Sequence, residues 1–214
     1  MRTITKPELD GLCRNGKAID SKGGYPAVVL HNDGTVTKFW ARKKGIFSSA
    51  TINPYSNRFV KNAAELKKRG IIAPKIIDHA KLEHSHVQIV RYQSLEGESI
   101  RQLLHSTPQD IDLPALCNYI CRLHEKGIFF SGMHLGNILQ MPKGHGLIDF
   151  TDVAFFSRPL SPKQRAQNLQ IPLRYKEDAL ALQKSGLPDF LDTYLKASEL
   201  STKDQNIIAT VISP

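Results

Sequence analysis

Asn137 and Asp149 lie twelve residues apart, joined by "ILQMPKGHGLI". An amide oxygen and a carboxylate are hard ligands of the kind Mg²⁺ takes, and Mg²⁺ usually completes its shell with water and phosphate. The connecting segment is long enough to fold back as two strands and bring both oxygens to one place. Nearby are two groups that could move a proton. His134 is three residues before Asn137, and imidazole titrates near neutral pH. Asp152 is three residues after Asp149. In the first half, "TVTKFW" carries Lys38 in alternation with Val36 and Trp40, so a cation shares a strand face with apolar side chains.

These residues need elements to hold them. "YPAVVLH" (25–31) and "TVTKFWA" (35–41) are β-branched and apolar runs around "NDG", which predicts a hairpin carrying Lys38. "GKAIDSK" (16–22) is a preceding strand, with Gly23 and Gly24 in the loop. Phe59, Ala63 and Leu66 recur at helical spacing within 54–69, and Gly70 stops that helix. "IIAPKII" leads into a strand and "HVQIVRY" (86–92) is another. "SLEGE" then punctuates the chain near residues 92–97. "LPALCNYICRLHEKG" (113–127) is an amphipathic helix ending at Gly127, "GLIDF" a short buried strand, and the segments beyond 160 are helical. Strands with one helix followed by mostly helices is an α+β order.

The frame "LHEKGIFFSGMHLGNILQMPKGHGLIDFTD" resembles a phosphotransferase catalytic loop, H-R-D-L-x-x-x-N followed by a metal-binding Asp on the next strand. "HLGNIL … LIDF" is similar to the H-x-G-N-I-L … I-D-F of aminoglycoside, choline and lipopolysaccharide-core kinases. Over about residues 16–182 the chain resembles small lipopolysaccharide-core (Kdo/heptose) kinase-like proteins, including the toluene-tolerance-protein type of pseudomonads. The resemblance implies a two-lobed protein-kinase-like fold. Residues 1–93 would be a small antiparallel-sheet N-lobe with one helix, and 94–214 a mainly helical C-lobe. It implies ATP and Mg²⁺ as cofactors, Asn137 and Asp149 on the metal, and Lys38 on the α/β-phosphates. Backbone groups near Tyr92–Ser94 would hold the adenine. The implied acceptor is a sugar hydroxyl of the lipopolysaccharide core.

The chain departs from that pattern twice. Phe130, Ser131 and Gly132 stand where the motif has H-R-D, so the base carboxylate is absent. Counting eleven residues back from Gly70, where a Glu should pair with the strand lysine, reaches Phe59; Glu65 is the one acid on that helix and a candidate substitute. The glycine-rich loop is reduced to "SKGGYP". A general base is worth about 10²–10⁴ in rate, whereas phosphoryl transfer is mostly positioning and charge neutralisation. Two readings follow: a slow or base-relocated kinase, or a pseudokinase that binds nucleotide or scaffolds without transfer. His134 and Asp152 are the replacement candidates. Their bland alternatives are an orienting or packing histidine and a turn cap. Arg158, Arg165 and Arg174 could face an anionic acceptor, or simply solvent. "RAQNL" resembles the helix beneath the catalytic loop, which would make Arg165 structural. His79, His84 and His86 read as surface.

The charge is uneven. Residues 1–93 hold 17 Lys/Arg against 7 Asp/Glu, and residues 94–214 hold 12 against 13. A basic half attracts phosphates, anionic glycolipid or an anionic membrane surface. Without an aromatic-basic recognition motif, nucleic acid is not the expected partner. Three cysteines show no metal spacing, and Cys117 and Cys121, a turn apart on a helix, read as buried thiols in a reducing cytoplasm, with no apolar leader. The resemblance implies a bacterial protein, and the basic half a peripheral attachment at the inner face of the inner membrane.

Overall fold

The alternating residues of 25–40 do form a hairpin. β3 (Tyr25–His31) and β4 (Thr35–Trp40) pair antiparallel, with Val28 opposite Lys38. The Gly34 N–H closes the turn on the His31 carbonyl at 3.1 Å. Asp33 accepts from the amide and hydroxyl of Thr35 and from Arg91. This is a computed structural model that describes residues 1–14, 16–22, 24–41 and 53–212. Gly23 of "SKGGYP" lies outside the described residues. The chain divides into two units, Met1–Lys68 with Ala73–Leu95, and Arg69–Ile72 with Glu96–Pro214.

The first unit is a six-stranded sheet in the order β1-β5-β6-β4-β3-β2, where β1 is Arg2–Ile4, β2 Gly16–Lys22, β5 Lys75–Leu82 and β6 Gln88–Gln93. Every described pairing is antiparallel except β1 on β5, which is parallel. Alternation sorts the side chains into two faces. Val29, Phe39, Ala80 and Ile89 pack with Ile4 and with Leu9 of helix α1 (Lys6–Cys13). On the other face Phe59 of helix α2 (Tyr55–Lys68) meets Trp40 and Tyr92, ring centroids 5.6 and 5.4 Å away. Residues 2–13, to which periodicity assigned nothing, supply β1 and α1. A reciprocal cap starts α1: Thr5 accepts from the Glu8 amide while Glu8 accepts from Thr5 N–H. Among the described residues the first unit thus carries the short α1 in addition to the expected helix α2.

The second unit is mainly helical. Its helices are α3 (Ile100–Ser106), α4 (Leu113–Glu125), α5 (Pro162–Arg174), α6 (Lys176–Lys184), α7 (Phe190–Ala197) and α8 (Thr202–Ile212). Between them are β7 (Glu98–Ser99), β9 (Ile138–Met141) and β10 (Gly144–Leu147) in one small sheet, and β8 (Ile128–Phe130) paired with β11 (Val153–Phe155) in another. α4 is the core element: Leu113, Leu116, Cys117, Ile120, Cys121 and Leu123 are all buried. Burial pushes the Cys117 and Cys121 thiols up, to about 12 and about 11, so neither is a thiolate at neutral pH. After α4 the chain turns at Gly127 (φ +66°), where a Cβ would lie 2.5 Å from two carbonyl oxygens. Among the described residues no helix is long and apolar enough to cross a membrane.

Candidate active site

Asn137 and Asp149 arrive on neighbouring chains. β9 and β10 pair with Ile138 opposite Leu147, and the ladder continues one step as the Ile148 N–H donates to the Asn137 carbonyl at 3.0 Å. Asp149 is the next residue, and its carboxylate is exposed. The Asn137 amide has a set orientation. Its Nδ2 donates to the Gly132 carbonyl at 2.9 Å; a carbonyl only accepts, so nitrogen faces Gly132 and Oδ1 is presented elsewhere. Asn137 is itself buried. Asp149 sits at φ 49°, ψ 41°, a left-handed conformation that costs a non-glycine residue of order 1 kcal/mol or more. Asp is among the non-glycine residues that adopt this region most readily. An amide oxygen and a carboxylate fit a hard cation, with the remaining ligands drawn from water or phosphate. Among the described residues no three His, Cys, Asp or Glu side chains form a metal cage.

The other end of the loop is different. Phe130 is fully buried at the end of β8, opposite Val153. A Cβ on Gly132 would lie 2.8 Å from Phe130 Cε2, closer than real side chains come. The aromatic ring therefore fills the space that a carboxylate at position 132 would enter. Asp152 reaches this end through its main chain, its carbonyl accepting from Ser131 N–H at 2.9 Å, and its side chain is exposed.

His134 stands between the two ends. Its amide donates to Gly132 O, and its carbonyl accepts from Asn137 N–H. Its ring packs on Tyr175 with centroids 5.0 Å apart, and its buried Nδ1 has no hydrogen-bond partner. Burial, and then the charge of Arg101, hold the imidazole below its usual pKa, against the pull of Asp178, Asp149 and Glu177. A neutral imidazole can accept a proton, and a packed one also orients the loop.

In the first unit Lys38 Nζ lies 5.6 Å from the Trp40 ring centroid and 5.8 Å from that of Phe59. The helix position that the sequence comparison left without an acid thus lies against the lysine as an aromatic face, a cation–π arrangement. Glu65 is half-buried on α2, roughly 120° around the helix axis from Phe59 at about 100° per residue. Tyr92 pairs with both Val36 and Ile76 in mid-sheet, its ring against Phe59. The Ser94 amide and hydroxyl both donate to Gly34 O, at 3.0 and 2.6 Å, so its N–H already has a partner. The structure therefore gathers His134, Asn137, Asp149 and Asp152 around one loop, and Lys38 and Tyr92 around Phe59. Ser94 lies at the Gly34 turn.

No protein-family model matches the chain, and no curated protein does. Solved structures do. A crystal structure of monomeric WbdD is similar with a TM-score of 0.52 at 16% identity, covering 87% of this chain and 44% of that one. A second WbdD structure, of the bifunctional kinase-methyltransferase, has a TM-score of 0.44 at 15% identity over 87% of this chain and 47% of that one. Vaccinia related kinase 3 has 0.46 at 12% identity over 93% and 81%. The chain has a protein-kinase-like fold. It spans less than half the length of these two WbdD chains.

Within that kinase-like fold, the residues that hold the loop were the ones sequence reading passed over. Asp178 on α6 is fully buried, accepting from Arg101 Nε at 2.6 Å and Nη2 at 3.1 Å, and from the Leu135 amide at 2.8 Å. Arg101 also stacks over Tyr175, 4.7 Å from its centroid. Asn168 in "RAQNL" brackets Phe130, donating to its carbonyl at 2.8 Å and accepting from its amide at 3.4 Å. Arg165 is 2% exposed, bonded to Leu160 O, Glu125 and Tyr194, so it is structural and faces neither solvent nor acceptor. His79 is not a surface residue either; it is half-buried with Nε2 on Ser56 Oγ at 2.9 Å. An Arg and an Asp 77 positions apart leave no local spacing signal to find.

Proposed function

We propose that this protein binds ATP with Mg²⁺ and transfers the γ-phosphoryl group to a sugar hydroxyl, slowly, without a loop carboxylate as base. The observation that carries the proposal is the β9–β10 pairing that sets Asn137 beside Asp149, with the Asn137 amide turned by Gly132 and Asp149 held left-handed. Asn137 Oδ1 and the Asp149 carboxylate would hold the metal, which when bound neutralises phosphate charge. Lys38 would meet the α/β-phosphates and the β6 end near Tyr92–Ser94 the adenine, with Glu65 as the acid nearest that role on α2. His134 and Asp152 are the groups proposed to orient or deprotonate the acceptor hydroxyl. The sugar acceptor, in lipopolysaccharide core synthesis, rests on the resemblance of the "HLGNIL … LIDF" motif pair. The basic charge of residues 1–93 suits an anionic glycolipid at the inner face of a membrane, held peripherally and released by salt.

A second reading has its own observation. The Phe130 ring fills the space beside Gly132, which favours a pseudokinase that binds nucleotide and transfers nothing. One experiment separates the two. Melting is followed with ATP and Mg²⁺, then ADP release is measured with and without core oligosaccharide. A metal-dependent shift with acceptor-dependent ADP release supports the kinase, and a shift without turnover the pseudokinase. Absence of any shift defeats both.

A further inference from the structure

A cavity of about 340 Å³ in the second unit is lined by Ile72, Ala115, Tyr119, Arg122, Lys143 and His145, among others. Two polar atoms of its lining side chains are buried and have no hydrogen-bond partner: the Tyr119 hydroxyl and His145 Nε2. Tyr119 is 7% exposed and His145 6%, and their rings stack with centroids 5.4 Å apart. A buried polar group left unmet costs about 1–3 kcal/mol. Two of them, from α4 and β10, at one cavity mark a place built for a partner that is not part of the chain.

Charge says what kind of partner. Arg122 and Lys143 line the cavity, and no acidic side chain does. Arg122 Nη2 donates to the Gly70 carbonyl at 2.7 Å, which steadies the guanidinium while leaving it further N–H donors. Two cations, the Tyr119 hydroxyl and an imidazole nitrogen that donates in its Nε2–H tautomer match the charge and acceptor count of a phosphate dianion. Ile72, Ala115 and the Tyr119 ring add apolar wall, and the volume suits a compact ligand.

We propose that the cavity where Tyr119 and His145 meet Arg122 and Lys143 binds a small phosphate monoester bearing an apolar group. The site is separate from Asn137 and Asp149, although His145 lies on the strand that leads to Asp149. Arg122 and Lys143 are exposed, so neutral replacements leave the core untouched.

The test uses the full chain, titrated calorimetrically with phenyl phosphate, inorganic phosphate and benzoate, while the His145 ring resonances are followed by NMR. Phenyl phosphate should saturate one site, move the His145 signals and bind more tightly than either other probe. Binding should persist in Asp149→Ala. It should weaken about tenfold in Arg122→Gln, in Lys143→Gln and in Tyr119→Phe, the loss of one charge-assisted hydrogen bond. The proposal is overturned if no probe saturates, if benzoate binds as tightly as phenyl phosphate, or if affinity is unchanged in Arg122→Gln and Lys143→Gln.

Discussion

The two ends of the loop from Phe130 to Asn137 are built to opposite plans. At the Asn137 end backbone pairing brings Asn137 next to the strand that leads to Asp149, and Asp149 takes a left-handed conformation. At the Phe130 end it has an apolar ring where a base would enter, and no residue from Phe130 to Met133 takes a positive φ. The contrast separates two requirements that kinases normally meet together. Holding a metal and its phosphates needs only the first end; taking a proton from an acceptor needs the second. Phosphoryl transfer leans on charge neutralisation more than on the base, so under the proposed function the Asn137 end would carry the larger share of the rate.

The largest effect expected comes from striking the metal end. Asp149→Ala should abolish the Mg²⁺-dependent part of the ATP melting shift and weaken nucleotide binding at least about 100-fold, the scale of a charged contact. The fold should remain, since the carboxylate is exposed and alanine at this left-handed position adds only about 1 kcal/mol of strain. Unchanged Mg²⁺-dependent binding in this variant would remove the reason for contrasting the ends.

Next is the buried pair that holds the loop from behind. Asp178→Ala removes the buried partner of the Arg101 guanidinium, leaving it Glu177 at 3.4 Å, and frees the Leu135 amide; it should cost about 3 kcal/mol, the low end for a broken buried ion pair. Urea melts measure it. A loss under about 1 kcal/mol would mean that the pair does not tie α6 to the loop.

The Phe130 end can be tested by filling it. Gly132→Asp restores the missing carboxylate in name only. With a Cβ 2.8 Å from a buried ring, the variant should lose about 1–3 kcal/mol through overpacking and gain no turnover. Adding Phe130→Leu should recover part of that stability and let any catalytic benefit of the new carboxylate show in ADP release. If Gly132→Asp alone is as stable as the parent and faster, the ring is not the obstacle.

The two ends were not equally legible in sequence. Asn137 and Asp149 announced themselves because hairpin pairing converts a twelve-residue spacing into adjacency, and the hairpin of Lys38 followed from turn residues between alternating strands. The absence at Gly132 was plain as a letter. Its cause was not: Phe130 fills the space through the local backbone path, which no periodicity encodes. β1 and α1 went unseen because a three-residue edge strand and an eight-residue helix are too short for either period to stand out. Asp178 and Arg101 went unseen because their meeting depends on where α3 and α6 pack.

The smallest effect is a pH dependence rooted behind Phe130. Asn168 donates to Phe130 O, so its Oδ1 faces the His124 Nε2 at 3.2 Å, and that nitrogen must carry the proton. His124 Nδ1 then accepts from the Tyr194 hydroxyl at 2.8 Å. Burial, with help from the Arg165 charge, drives His124 down to about 3, so the folded protein keeps it neutral. The unfolded chain, with an ordinary value of 6.5, takes up a proton that the folded chain refuses. Stability from this group is therefore complete above pH about 6.5 and falls as the pH drops towards 3, by about 1.4 kcal/mol per unit once well below 6.5. His79, His134 and His145 are also depressed by burial and act in the same direction, so the measurement must be a difference. Urea melts at pH 7, 6 and 5 should show a shallower decline for His124→Gln than for the parent. The window stays above the range where the depressed carboxylates of Glu8, Asp33 and Asp78 titrate. Parallel declines would mean that His124 is not the buried neutral strut of the apolar end, and that Phe130 is held there by packing alone.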